Sequence, residues 1–190
     1  MKNLFQISLT VFIITFLVCS FWENFIQGSH TSWTGSLIYL PHGCKVIFFC
    51  FFGYRSLVGL LLAELTCHYM EFHNNGLAFF YLASFTSLLS VVVAAELLKW
   101  SKVSIGSNIH YFTKPNLANY KFILLVMVLS ALLSSIFTNV TLAAFNDIAI
   151  NVTVIVRFFI GDITGALLFL FALIVIFRML LIQKRFEIVK

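Results

Sequence analysis

The sequence predicts an all-α polytopic membrane protein of about six transmembrane helices, with a tight helical hairpin made of the second and third spans and a broken sixth span. Three observations carry that prediction. First, 61% of the 190 residues are hydrophobic and only 10% are charged, with a mean hydropathy of +1.02. A soluble domain is nearer half apolar and a quarter charged, and a globular domain of this size cannot hide so much apolar surface. Second, the apolar residues gather in runs of about 20, the length that crosses roughly 30 Å of hydrocarbon. Third, the basic residues concentrate in alternate loops, as membrane topology requires. The same composition excludes a disordered chain, which is poor in apolar residues. Two Pro and nine Gly exclude collagen-like and linker-like chains. The length allows one membrane domain and no separate soluble one.

The first run, residues 4–21, holds no charge and follows Lys2. Signal peptides share that pattern, but the run is long for one and no small-x-small cleavage site follows, so a retained span is expected. Residues 36–69 are too long for one span and barely long enough for two. They are read as spans 37–53 and 55–69, turning at Gly53, with Pro41 and Gly43 weakening the first arm near its outer end. Residues 77–98 form the fourth span and 117–138 the fifth. Residues 148–182 exceed one span, and Gly161 divides them into a partly interfacial lead-in helix, 148–160, and a core, 162–182.

Loop charges set the orientation. Lys99, Lys102 and Lys114 lie between the fourth and fifth spans and Lys121 near the start of the fifth, with no acid among them. Arg178 lies near the end of the sixth and Lys184, Arg185 and Lys190 follow it, with Glu187 as the one acid. The segments 22–35, 71–76 and 139–147 carry no Lys or Arg. The positive-inside rule therefore places both termini, the 99–121 loop and the Gly53–Arg55 turn in the cytoplasm. The net charge of +5 is explained by this topology, so no nucleic-acid partner is expected and the bilayer itself is the first partner. Cys19, Cys44, Cys50 and Cys67 show no C-x-x-C spacing, and buried thiols without a disulfide framework are expected.

Ionisable residues inside spans are costly and mark functional candidates. Six qualify: Lys45, Arg55, Glu64, Glu96, Arg157 and Asp162. Arg55 fits the cytoplasmic turn. Glu96 stands one turn before Lys99 and pairs or snorkels there. Arg157 fits the outer headgroups. Lys45 lies roughly 12 Å above the Gly53 turn and Glu64 roughly 13 Å above it on the facing helix, so the two are expected to pair. The pair either locks the hairpin or flanks a ligand or proton site. Asp162 serves as the N-cap of the sixth span, as a carboxylate aimed at a polar cavity near His42, or as both. His42, between Pro41 and Gly43, is either pH-responsive or simply hydrogen-bonded. The candidate ligand pocket, facing outward, therefore comprises His42, Lys45, Glu64, Arg157 and Asp162.

Other signals are weaker. Cys67, His68, Glu71 and His73 cluster in sequence but match no standard zinc spacing, so no metal is assigned. Trp22, Trp33 and Trp100 fall at span boundaries and read as interfacial anchors. Asn139-Val140-Thr141 and Asn151-Val152-Thr153 match the N-glycosylation pattern, which matters only in a secretory host. No phosphate loop, HExxH, G-x-S-x-G or paired-carboxylate motif is present, so neither an enzyme nor a cofactor is expected.

Tyr39-Leu40-Pro41-His42-Gly43, then Gly53-Tyr54-Arg55, then Arg157-Phe158-Phe159-Ile160-Gly161-Asp162-Ile163-Thr164-Gly165 resemble the bacterial MASE-type integral membrane sensor domains. The resemblance covers roughly residues 39–170 and rests on about ten positions. It implies a sensory module of the inner membrane that passes an input to a histidine kinase or a cyclic-di-nucleotide enzyme, with self-association as a further expectation. The chain is expected to hold fewer spans than that architecture and no output domain, which leaves a sensor relic, a subunit that signals through a separate partner, or a relative with another job. The competing expectation, from another class, is a small transporter or the substrate-binding subunit of an uptake system.

Overall fold

The computed structural model describes residues 2–27, 36–75, 80–101, 117–146 and 149–188. Helix is the only regular structure among them. α1 spans Lys2–Trp22 and runs on into a π-helical turn, Glu23–Gln27. α2 spans Leu40–Phe52 and ends in a 3₁₀ turn, Gly53–Ser56. α3 spans Leu57–Asn75, α4 Phe80–Trp100, α5 Leu117–Asn146 and α6 Val152–Ile188. Five stretches are long and apolar enough to cross a membrane: Leu4–Ile26, Leu40–Cys67, Tyr81–Trp100, Lys121–Phe145 and Val152–Met179. The second takes in α2, its 3₁₀ turn and most of α3 together, where the sequence reading counted two spans.

α2 is the centre of the bundle. Every residue from 41 to 50 is buried. Only 17% of the apolar window in Leu4–Ile26 is buried, against 56% in Leu40–Cys67. α2 packs on α1, α4, α5 and α6. Its sequence explains both ends. Pro41 sits in the first turn, where a missing N–H costs nothing. Gly53, at φ 59°, takes the left-handed conformation that stops the helix, and its N–H returns to the Phe49 carbonyl. The expected weakening at Pro41 and Gly43 is therefore corrected: both lie inside the regular helix. Gly43 is there for contact, since a Cβ would stand 2.7 Å from Phe169 Cβ and 2.9 Å from Ala166 Cα.

The irregular segment 36–39 lies against α6, and its backbone groups find partners. Tyr39 N–H bonds the Gly161 carbonyl at 2.9 Å. Thr164 Oγ1 donates to the Leu37 carbonyl at 2.5 Å, the Trp22 indole N–H donates to the Ile38 carbonyl, and His42 N–H reaches the Tyr39 carbonyl at 3.3 Å. Non-helical backbone at membrane depth is tolerated only when protein satisfies it in this way. Trp22 is thus corrected from interfacial anchor to buried clamp. It is 5% exposed and packs edge-on against Tyr39 with ring centroids 4.8 Å apart. Trp100 is exposed, and Trp33 lies outside the described residues.

The broken sixth span is also corrected. α6 runs unbroken through Gly161. A Cβ at Gly161 would stand 2.0 Å from the Ser36 carbonyl oxygen, and one at Gly165 would stand 2.1 Å from that of Tyr39. These two glycines, four apart on one face, admit the backbone of segment 36–40. They are docking glycines, and helix-breaking propensity misread Gly161. Gly59 plays the same part between α3 and α1, where a Cβ would meet the Ser8 carbonyl at 2.3 Å.

α4 and α5 make the most extensive helix contact, and small residues are frequent among their buried positions. Ala83, Ser84, Ser87, Ser90, Val91 and Ala94 of α4 are buried, as are Ser130, Ala131, Ser134 and Ser135 of α5. Small side chains let helices approach closely where lipid supplies no hydrophobic drive. At the Gly53 end of the bundle Glu96 pairs with Lys99 at 2.6 Å and accepts from Tyr54 Oη at 2.9 Å, as the i,i+3 spacing predicts. The four cysteines are free and buried. Asn139 is buried inside α5, its amide bonded to the Ser135 carbonyl at 2.7 Å, which removes it as a glycan acceptor.

Candidate functional site

Four of the five candidate residues converge. His42 and Lys45 are one helical turn apart on α2, Glu64 faces them from α3, and Asp162 from α6. They are 0%, 1%, 3% and 2% exposed. Lys45 Nζ lies 2.8 Å from Glu64 Oε1, so the expected pair forms. In one continuous helix those residues would lie about 28 Å apart, so the chain does not run straight between them. Tyr39 Oη donates to the same Glu64 oxygen at 3.3 Å, and the Lys45 ammonium stands 5.3 Å from the Tyr39 ring centroid. Lys45 is therefore held by a carboxylate, a hydroxyl and an aromatic face, with no route for its head to reach water.

Serines extend the pair into a network. Lys45 Nζ donates to Ser87 Oγ at 2.6 Å, and Ser87 Oγ lies 3.2 Å from Ser134 Oγ. Ser134 hydrogen-bonds the Asp162 carboxylate. Polarity follows from the ends: an ammonium only donates and a carboxylate only accepts. Ser87 thus donates to Ser134, and Ser134 to Asp162. The chain of bonds runs in one direction from cation to anion, through α2, α4, α5 and α6.

On the other side of Asp162 stands His42. Its Nδ1 lies 3.6 Å from Asp162 Oδ2, beyond hydrogen-bond range, and neither atom has a hydrogen-bond partner. Its Nε2 lies 3.0 Å from Ser130 Oγ, which donates in turn to the Met127 carbonyl at 3.2 Å. A hydroxyl has one proton. That proton goes either to Met127, with His42 Nε2–H donating to Ser130, or to His42 Nε2, with the ring hydrogen then on Nδ1 facing Asp162.

Three expectations about this site are corrected. Asp162 is no N-cap: it lies ten residues past the start of α6 at Val152. The expected pocket, open to the outside at two helix breaks, is instead a closed cluster between regular helices, because the glycines that looked like breaks let the backbones touch. Arg157 does not join it. It is half-buried on α6, five residues before Asp162, and five steps of about 100° turn it roughly 140° away around the helix. The side chains of His68, Glu71 and His73 lie outside the described residues. Sequence reasoning missed Tyr39, Ser87, Ser130 and Ser134. The signal was the four-residue spacing of Ser130 and Ser134, which puts both on one face of α5.

A separate cavity of about 200 Å³ lies between α5 and α6, lined by Asn139, Leu142, Ala143, Ala149, Ile150, Asn151 and Val154. It does not include the cluster. No family model matches the chain, and neither curated proteins nor solved structures give a match.

Proposed function

We propose that the chain is a non-enzymatic, six-span module of a cell inner membrane, with both termini cytoplasmic, whose buried polar cluster receives an input. α2 and α3 are the two arms of a hairpin in this reading, each a crossing. Packing supports it. α2 and α6 run in the same direction, since Ser36 meets Gly161, Tyr39 meets Gly165 and Gly43 meets Phe169. α1 and α3 likewise run together, since Ser8 meets Arg55 and Gly59 while Phe16 meets Cys67. Alternate crossings, the first with the third and the second with the sixth, must share a direction when six spans pass back and forth. Cysteine labelling checks the orientation. A cysteine at Asn74 should react with a membrane-impermeant thiol reagent in intact cells, and one at Ser107 should react only after lysis. The reverse pattern contradicts the topology.

One observation carries the input-site reading: four ionisable side chains from three helices meet at 0–3% exposure, bridged by serines from two more. Each charge at mid-bilayer costs about 2.5–3.5 kcal/mol on insertion scales, and hydrocarbon in their place packs at least as stably. The landmarks that resemble MASE-type sensors, Pro41-His42-Gly43 and Gly161-Asp162, supply or adjoin the cluster, and on that resemblance a kinase or cyclic-di-nucleotide enzyme is the partner. A sealed cluster favours sensing over the transporter reading.

Trp22, edge-on to Tyr39, is a built-in reporter, because Tyr39 bonds Glu64. With Trp33→Phe and Trp100→Phe, its emission in proteoliposomes is expected to change with one stimulus from a panel of pH, monovalent and divalent cations, and osmolality. Asp162→Asn should abolish the change, and no ion or solute should accumulate. Net flux would favour the transporter; a response indifferent to Asp162→Asn would remove the site.

A further inference from the structure

We infer that the ligand of this cluster is a single proton, bound between His42 Nδ1 and Asp162 Oδ2. The inference rests on the input-site reading and names what the site receives. It stands on geometry and charge. His42 Nδ1 and Asp162 Oδ2 face each other 3.6 Å apart, both are buried, and neither has a hydrogen-bond partner. In either ring tautomer the neutral imidazole has one nitrogen without hydrogen, so the pair can take up one more proton. A proton placed between them makes a hydrogen bond, and a charge-assisted bond of this kind closes to about 2.7–2.9 Å.

Charge balance agrees. Lys45 on α2 carries +1, Glu64 on α3 −1 and Asp162 on α6 −1. His42 with one N–H is neutral, so the cluster stands at −1. Uptake of one proton brings it to zero, whether that proton resides on the carboxylate or on the imidazole. The other groups around the site are weakly acidic or non-titrating: the Tyr39 phenol, the hydroxyls of Ser87 on α4 and Ser130 and Ser134 on α5, and on α1 the thiol of Cys19 beside Cys67. The Lys45–Glu64 pair is neutral as a unit, and Ser87 and Ser134 couple it to the site.

Closure has a structural consequence. His42 belongs to α2 and Asp162 to α6, and those helices already touch at Gly43, Ala166 and Phe169. Drawing the two groups together by about 0.8 Å moves side chains that sit on the α2–α6 contact. Close-packed interfaces answer small shifts by repacking, and the shift reaches Trp22 through Tyr39.

The test is proton uptake by the full chain in lipid nanodiscs, read with a pH dye on stepping from about pH 8 to about pH 5, the interval in which histidines titrate. The wild type should take up one proton per chain more than His42→Gln/Asp162→Asn, and Trp22 emission should follow that proton. Sodium at fixed pH should release none. Should the double variant not fold, Asp162→Asn alone suffices: the infrared difference between the two pH values should hold a carboxylate band that this variant lacks. Equal uptake by wild type and double variant, or a band unchanged in Asp162→Asn, overturns the inference, and proton release by sodium reassigns the site to a metal cation and overturns it too. If Trp22 responds to another stimulus through Asp162 while uptake is equal, the proton assignment fails and the input site stands. If no stimulus acts through Asp162, both fail.

Discussion

Lys45→Met is expected to destabilise the folded protein by about 3–5 kcal/mol, the range for breaking a buried ion pair by removing one partner. The substitution conserves chain length and apolar volume, so the loss is electrostatic. It leaves Glu64 and Asp162 as two carboxylates in one sealed cluster, and takes from Ser87 and the Tyr39 ring the cation they were arranged around. Lys45 is 1% exposed, so the snorkelling that softens such losses near helix ends is closed to it. Reversible unfolding in mixed micelles measures the loss. Lys45→Met/Glu64→Gln should recover a large part of it, since the second change removes the stranded charge. A single variant within about 0.5 kcal/mol of wild type, the range of ordinary surface changes, contradicts the buried pair.

Gly165→Ala should also be severe, and its sign is diagnostic. In an isolated helix the change stabilises by about 1 kcal/mol. Here the added methyl would stand 2.1 Å from the Tyr39 carbonyl oxygen, 2.2 Å from its carbon and 2.7 Å from Leu40 N. All three are backbone atoms, so no rotamer change relieves the contact. Overpacking costs about 1–3 kcal/mol where side chains yield, and the expected loss lies at or above the top of that range. Moving segment 36–40 away from α6 also stretches the Tyr39–Gly161 bond and shifts Tyr39 off Glu64. A thermal-stability series with Gly161→Ala and Gly165→Ala checks this. Neutral or stabilising alanines would show that the segment does not dock on α6.

Which parts of this structure were legible in the sequence follows from the range of the forces involved. Hydropathy is a local property, so the apolar helices appear in order with boundaries shifted by a few residues. The Lys45–Glu64 pair was legible because depth is arithmetic: two charges at matched distance from one turn face each other when the chain reverses there. The glycines were misread because propensity reports what Gly costs a helix and says nothing of the backbone that fills the place of the missing side chain. Gly161 thus suggested a broken span, and Asp162 a cap, where α6 is continuous. Arg157 was counted in the pocket as an ionisable residue inside a span, and its angle around α6 turns it away. Trp22 has the composition of an anchor, yet its partner, the Ile38 carbonyl, exists only once 36–39 has docked. The serines carried little signal because a serine in an apolar helix ordinarily bonds back to its own backbone. Ser87 and Ser134 become bridging groups only when α4, α5 and α6 are brought together around α2.

The central claim is that His42, Lys45, Glu64 and Asp162 act as one coupled unit and not as two separate pairs. A double-mutant cycle of Lys45→Met and Asp162→Asn, read by reversible unfolding in mixed micelles, tests it most directly. The two residues are bridged by Ser87 and Ser134, so a coupling energy between about 0.5 and 3 kcal/mol is the predicted result. Additivity within about 0.3–0.5 kcal/mol, the behaviour of independent sites, would contradict it.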